Sequence, residues 1–383
     1  MSDSFHPETL AVHAGRRIDP ATGAVTPNLT LSTTFERAAD GSLPHGLNYT
    51  RLDNPNRHAL EEALAALEGG REALAFASGQ AATAALLQAL SPGDTVLLPD
   101  DIYHGTRVLA ETVLGRWGLR VVTVDFTDSA AVAVALEHTA ARLLWIETPS
   151  NPRLKITDVR TVARLARAAG ALVVADNTWA TPILQRVLEL GAHVALHSTT
   201  KYIGGHSDAL GGAVIFSADA PPDFVARVRE NQRLGGGVPA PFDCWLLLRS
   251  LATLPLRVRA QSATAAQLAV WLATEPAVAR VYYPGLPVHS GHAINAAQMS
   301  SGGAMISFEV HGGFAAASTV AARVKLITRA TSLGGVESLI EHRKLAEGPH
   351  SPTPDNLLRL SVGLEHVDDL RADLAQAITG LAM

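Results

Sequence analysis

Two hydrophobic rhythms alternate along the first two thirds of the chain. Leu60, Ala63, Leu64 and Leu67 recur three and four residues apart and stop at Gly69-Gly70, the pattern of a helix packed on one face. Short continuous apolar runs, rich in Val, Leu and Ile, predict strands over 72–77, 94–98, 120–125, 142–147, 171–175, 193–197 and 211–216. The segment Thr181 to Leu190 reads as a helix between two of them. Strands apolar on both faces, interleaved with helices, argue for an α/β fold with a mainly parallel sheet covered on both sides.

The rhythm changes past about Phe242. Helical segments over 242–274 lead to shorter strands at 278–283, 304–310 and 357–362, then to a last helix from Val367 to Leu381. The segment before about residue 55 carries Pro20, Gly23, Pro27, Gly41, Pro44 and Gly46 with little helical periodicity, which predicts an irregular arm. The expected organisation is an arm (1–55), a large domain (56–241) and a smaller α+β domain (242–383).

Composition narrows the function classes. The 383 residues suffice for two full cores, and 47% hydrophobic with 17% charged residues describes a globular protein. A net charge of −5 gives no attraction to nucleic acid or an anionic membrane. The single cysteine, Cys244, forbids an intrachain disulfide and suits a reducing compartment. The start, Met1 to Pro7, lacks the basic and apolar regions of a signal peptide, so the cytoplasm is expected.

The candidate chemistry gathers at strand ends. Leu172-Val173-Val174-Ala175 stops at Asp176, and Val194-Ala195-Leu196 runs into His197-Ser198-Thr199-Thr200-Lys201-Tyr202. Polar residues at such ends face the ligand crevice of an α/β sheet. A carboxylate, two hydroxyls and a lysine together suit pyridoxal phosphate: Asp for the ring nitrogen, hydroxyls for phosphate, Lys for the Schiff base. Ser78-Gly79-Gln80 follows another apolar run and opens a helix, where the backbone N–H groups of Gly79 and Gln80 could cradle a phosphate. An ordinary turn capped by Ser78 explains the same residues. Tyr103, just past a strand, could stack on a cofactor ring and take part in proton transfer, or pack on a domain edge. Arg359, inside an apolar strand pattern, needs a buried partner, either a substrate carboxylate or a protein one.

Other readings find less support. No Gly-Lys dipeptide exists, so there is no P-loop to accompany Asp176. Gly205-His206-Ser207-Asp208-Ala209 lacks the preceding strand and final glycine of a hydrolase nucleophile elbow. Scattered histidines and the lack of a Cys pair argue against a metal.

An ordered set of segments resembles one family over nearly the whole chain: the Cys/Met-metabolism PLP-dependent enzymes. The set comprises Tyr49-Thr50-Arg51, Asn54-Pro55, Ser78-Gly79, Tyr103, Glu147-Thr148-Pro149-Ser150-Asn151-Pro152, Asp176-Asn177-Thr178, Ser198-Thr199-Thr200-Lys201-Tyr202, Gly205-His206-Ser207-Asp208, Ser332-Leu333-Gly334-Gly335 and Arg359-Leu360-Ser361-Val362-Gly363. The resemblance implies the fold type I (aspartate-aminotransferase-like) architecture, pyridoxal 5'-phosphate as cofactor and a homotetramer built from two dimers. It implies trans-sulfuration: β/γ-elimination or γ-replacement on sulfur-containing or O-acylated amino acids, nearest to the cystathionine γ-lyase and γ-synthase types. Methionine γ-lyase, O-acylhomoserine sulfhydrylase and, further off, an aminotransferase or a hydrolase using Ser207 are the alternatives.

Carried over by position, the resemblance makes Lys201 the Schiff-base lysine and Asp176 the partner of the pyridine nitrogen. Gly79, Gln80, Ser198 and Thr200 would bind the phosphate, joined by Tyr49 and Arg51 from a neighbouring subunit. Tyr103 would stack on the ring, and Arg359, with Asn151 and Ser332, would bind the substrate. The chain departs from the family in two loops. A His-Pro-Ala…Met-Thr-His segment common there is replaced by His342-Arg343-Lys344-Leu345-Ala346-Glu347-Gly348-Pro349, and the loop after Tyr103 is a residue shorter. Asn48 and Thr331 are neutral where relatives that handle cystathionine often carry acids, which predicts relaxed specificity.

Overall fold

Seven strands form the first sheet of the computed structural model, which describes residues 5–348 and 351–381. Met1 to Ser4 of the leader reading, and Pro349 of the divergent loop, lie outside the described residues. In chain order the strands are β1 (Glu72–Phe76), β2 (Thr95–Pro99), β3 (Arg120–Val124), β4 (Leu143–Glu147), β5 (Leu172–Asp176), β6 (Val194–His197) and β7 (Gly212–Phe216). Each falls on an expected run to within a residue. Their spatial order is β1-β7-β6-β5-β4-β2-β3. The pairs β2/β3, β2/β4, β4/β5 and β5/β6 are parallel, while β7 runs antiparallel to β1 and β6.

The pleat divides the side chains between two cores. Leu172, Val174, Val194 and Leu196 pack with the helices Gly79–Gln88 and Pro222–Gly235. Val173, Ala175 and Ala195 face the opposite way, towards the helix Pro55–Glu68. Because these strands are buried on both faces, their sequence is continuously apolar. Edge strand β3 is the partly exposed exception.

A second sheet follows, with strands β8 (Val278–Tyr282), β9 (Met305–Val310), β10 (Thr328–Arg329), β11 (Leu339–His342) and β12 (Leu357–Ser361) in the order β10-β11-β12-β9-β8. It has its own core, including Leu268, Phe308, Leu358 and Leu370. The expected helical stretch over 242–274 divides into Pro241–Leu251 and Leu254–Leu272, and the last helix ends at Ile378.

Two expectations need correction. The helix expected from Thr181 to Leu190 is only Thr181–Leu184. Gln185 is extended, its carbonyl accepts a 2.8 Å bond from Asn177 Nδ2, and the N–H of Val187 goes to the buried Glu68 carboxylate at 3.2 Å. Buried side chains thus take up backbone groups that a longer helix would pair internally. The arm is also not wholly irregular. Pro7–His13 is a short helix whose Leu10 and Ala11 join the first core, whereas Ile18, Val25 and Leu31 stay exposed.

Candidate active site

The parallel strands deliver their last residues to one crevice. Glu147 ends β4 and is the register partner of Asp176, which ends β5, and β6 leads into Ser198. By the alternation of the pleat, both carboxylates lie on the sheet face that carries the helix Gly79–Gln88. The cavity there encloses about 220 Å³ and is lined by Gly79, Gln80, Tyr103, Asn151, Asp176, Ser198, Thr200, Lys201, Ser332 and Arg359 among others. Ten of the twelve site residues expected from the sequence therefore meet in one place.

Tyr49 and Arg51 do not line this cavity. The Arg51 guanidinium lies 5.7 Å from the centre of the Tyr49 ring, and its Nη1 donates to the Arg233 carbonyl of the same chain at 2.6 Å. Tyr49 is exposed.

At the helix start, Ser78 is the cap. Its Oγ accepts from Ala81 N at 3.0 Å and its carbonyl from Ala82 N at 3.1 Å. The first-turn donors left over are those of Gly79 and Gln80, the pair singled out in the sequence. A Cβ on Gly79 would lie 2.9 Å from Ser198 Cβ and 3.1 Å from its Oγ, so only glycine lets the helix approach this hydroxyl so closely. Thr200 is more committed: its Oγ1 donates to the Gly211 carbonyl at 3.1 Å and accepts from Gly211 N at 3.0 Å.

The electrostatics suit a cationic ring. Burial raises the Asp176 carboxyl above its usual range, although Thr178 opposes this with hydrogen bonds, including a backbone N–H at 3.0 Å. No described lysine or arginine contributes to its shift. Burial, then the Asp176 charge beside it, pushes Glu147 well up. Two adjacent buried carboxylates do not both ionise without a cation, and a protonated pyridine nitrogen would supply one to Asp176. With free N–H groups at Gly79 and Gln80 beside the Ser198 hydroxyl and a lysine amine in the same cavity, the residues fit pyridoxal phosphate.

Lys201 Nζ donates to Ser332 Oγ at 2.6 Å. Burial first, then the Arg359 charge, lowers this amine from 10.5 to about 8. Ser332 sits at φ 105°, a conformation rare for residues with side chains and one that recurs at functional sites. Arg359 is buried, with Nη1 donating to Asn151 Oδ1 at 2.9 Å and Nη2 to Glu341 Oε2 at 2.9 Å. Its partner in this structure is therefore the protein carboxylate, one of the two options the sequence left open.

The backbone N–H of Tyr103 donates to the Glu147 carboxylate at 3.0 Å, and the helix His104–Val108 begins directly after it. A Cβ on Gly105 would sit 2.5 Å from the Tyr103 ring and 2.9 Å from Gln80 Nε2, so this glycine lets the ring lie over the turn. Glu147 and Arg343 were given no role of their own from the sequence, whereas Glu341 was considered only as a reader of the substrate's far end. Glu147 could have been singled out, because it ends an apolar run as Asp176 does. Ser207 pairs with Glu337 rather than a histidine and is exposed, which removes the hydrolase reading.

Comparison with known proteins agrees with this geometry. The family model described as Cys/Met metabolism PLP-dependent enzyme matches residues 8–379. A cystathionine gamma-synthase of Mycobacterium tuberculosis is 46% identical over 378 residues, covering 97% of this chain and 96% of the relative. A cystathionine beta-lyase of Coxiella burnetii is 44% identical over 382 residues, covering 97% and 98%. The crystal structure of a cystathionine gamma synthase from Xanthomonas oryzae superposes with a TM-score of 0.93 at 41% identity, covering 98% of each chain. The chain belongs to the Cys/Met-metabolism PLP-dependent enzymes, with their fold type I architecture, and it is a pyridoxal-phosphate enzyme of the trans-sulfuration group.

Proposed function

We propose that this enzyme acts at the γ carbon of a four-carbon amino acid, in the manner of cystathionine γ-synthase or γ-lyase, with Lys201 carrying the cofactor. The observation that carries this reading is the meeting of Lys201, Asp176, Ser198 and Arg359 around one cavity. The 46% identity to a cystathionine gamma-synthase over almost the whole chain supports γ-replacement. The beta-lyase relative at 44% keeps β-elimination of cystathionine as the second reading.

When bound, pyridoxal phosphate supplies the electron sink for charge left at the substrate Cα. The chain's own residues do the rest. The N–H groups of Gly79 and Gln80 and the Ser198 hydroxyl would hold the phosphate, and Thr200 would add its hydroxyl on leaving Gly211. Asp176 would pair with the ring nitrogen, and Tyr103 would stack on the ring. Arg359 binds the substrate α-carboxylate, with Asn151 fixing the guanidinium at 2.9 Å and Ser332 holding the lysine amine at 2.6 Å. An amine at about 8 is uncharged far more often near neutral pH than an ordinary lysine, so Lys201 Nζ can take the Cα proton. A second proton lost from Cβ lets the γ substituent leave or be replaced.

Tyr49 and Arg51 complete the phosphate site of a neighbouring subunit in a tetramer, which agrees with their place outside this chain's own cavity. The second sheet belongs to a smaller domain (242–383) that brings Ser332 and Arg359 to a large one (56–241), and the enzyme works in the cytoplasm. Product analysis of the holoenzyme tests the reaction, using cystathionine, methionine, and O-acylhomoserine plus cysteine. Cystathionine formed from the last pair, or cleaved to cysteine and 2-oxobutanoate, supports γ chemistry. Homocysteine and pyruvate from cystathionine would give β-elimination in its place.

A further inference from the structure

The buried charges at Arg359 continue to a residue with no role in the reading above. Glu341 on β11 is the register partner of Arg359 on β12, and Arg343 opens the helix Arg343–Glu347 two residues later. Glu341 Oε2 accepts both from Arg359 Nη2, at 2.9 Å, and from Arg343 Nη1, while its Oε1 accepts from Thr331 Oγ1 at 2.6 Å. The other end of Arg343, Nη2, donates to Glu347. The second Glu347 oxygen is held by Ser351 Oγ at 2.5 Å and Thr353 Oγ1 at 2.6 Å. Arg343 is only 5% exposed, yet it borders the cavity of Lys201 and Arg359.

Three features set Arg343 apart from an ordinary ion pair. It stands in the segment where the chain leaves its family's usual His-Pro-Ala pattern. Its Nε is buried without a hydrogen-bond partner among the described residues, which costs stability and is not what a purely structural pair would select. It also shares one carboxylate oxygen with the guanidinium that faces the substrate. The four charges balance: Arg343 and Arg359 against Glu341 and Glu347. Without Arg343 the two carboxylates would exceed Arg359 by one charge. An incoming α-carboxylate would then meet net negative charge in a buried setting where screening is weak.

We propose that Arg343 is a positioning residue for substrate recognition: by engaging Glu341, it keeps that carboxylate from neutralising Arg359, so Arg359 retains its attraction for the substrate carboxylate. The inference rests on the role proposed for Arg359, and Arg343 acts through Glu341 rather than by touching substrate.

The test measures the Kd of glycine, which carries a carboxylate and no leaving group, by calorimetry on the holoenzyme. Variants are Arg343→Leu, Arg343→Lys, the double variant Arg343→Leu/Glu341→Gln, and Arg359→Ala. Arg343→Leu should weaken glycine roughly tenfold or more, since an unbalanced charge near the site is worth at least that at intermediate dielectric. Arg343→Lys should lose clearly less than Arg343→Leu, because the charge is kept even though the fork that reaches both Glu341 and Glu347 is lost. The double variant should recover most of the loss, a rescue that a structural role for Arg343 would not give. Unchanged affinity in Arg343→Leu, or a double variant as weak as the single one, overturns the proposal. Should Arg343→Leu fail to fold, Arg343→Gln takes its place with the same expected outcomes. If Arg359→Ala leaves glycine affinity intact, the role of Arg359 itself falls, which is a separate failure.

Discussion

Replacing Arg359 by alanine removes more than one contact. In the structure its guanidinium is tied to Asn151, Glu341 and the Ser332 carbonyl, so the fork is already aligned before substrate arrives. A charge-assisted hydrogen bond contributes about 1.5–3 kcal/mol, or roughly 10- to 150-fold in affinity. Truncation also leaves Glu341, 7% exposed, with one cation fewer beside the place where the carboxylate binds. Repulsion then adds to the lost attraction, so the loss should lie in the upper half of that range, near 100-fold. The assay is KM and kcat for the best substrate of the holoenzyme, with the visible spectrum recorded to verify that the cofactor stays bound. Arg359→Lys should recover only part of the affinity, because an ammonium cannot reproduce the planar fork. An unchanged KM in Arg359→Ala would refute the reasoning, and loss of cofactor with unaltered substrate affinity would make Arg359 a structural ion-pair partner.

Two further outcomes follow from the geometry. In the cofactor-free protein, burial of Lys201 lowers its amine from 10.5 to about 8, so the unfolded chain binds more protons between those pH values. This amine therefore opposes folding below pH 8 and progressively less as pH rises to about 10.5; Lys201→Met should gain roughly 2–3 kcal/mol at pH 7 by urea unfolding and lose the advantage near pH 10.5. Equal gains at both pH values would contradict the assigned cause. If Arg51 acts across a subunit boundary, mixing inactive Arg51→Ala and Lys201→Ala subunits should restore part of the activity, and no recovery despite proven exchange would place Arg51 within its own subunit's chemistry.

Legibility in the sequence followed the physics of each segment. The ends of β5 and β6 were readable because both faces of those strands are buried, so the first polar residue after each run marks the crevice. Gly79 was readable as a helix start, but the reason it must be glycine, contact with Ser198, is a tertiary fact. The segment Thr181 to Leu190 was misread because Asn177 and Glu68, distant in sequence, take up its backbone groups. Strand β11 was missed because Glu341 and His342 look like surface residues. Both are buried: Glu341 pairs with Arg343 and Arg359, and His342 bonds to Ser318 Oγ at 3.0 Å and the Asp355 carbonyl at 2.6 Å. The relaxed specificity expected from a neutral Thr331 meets a related finding: Thr331 Oγ1 is bonded to Glu341, so a carboxylate reaches that point from the neighbouring strand.

The central claim is that Lys201 holds the cofactor. Borohydride reduction of the yellow holoenzyme, followed by proteolysis and mass mapping, tests it most directly. The account predicts the pyridoxyl label on the peptide containing Ser198-Thr199-Thr200-Lys201-Tyr202 and no label in Lys201→Ala. A label on another lysine, or a wild-type protein that stays colourless with added pyridoxal phosphate, would contradict it.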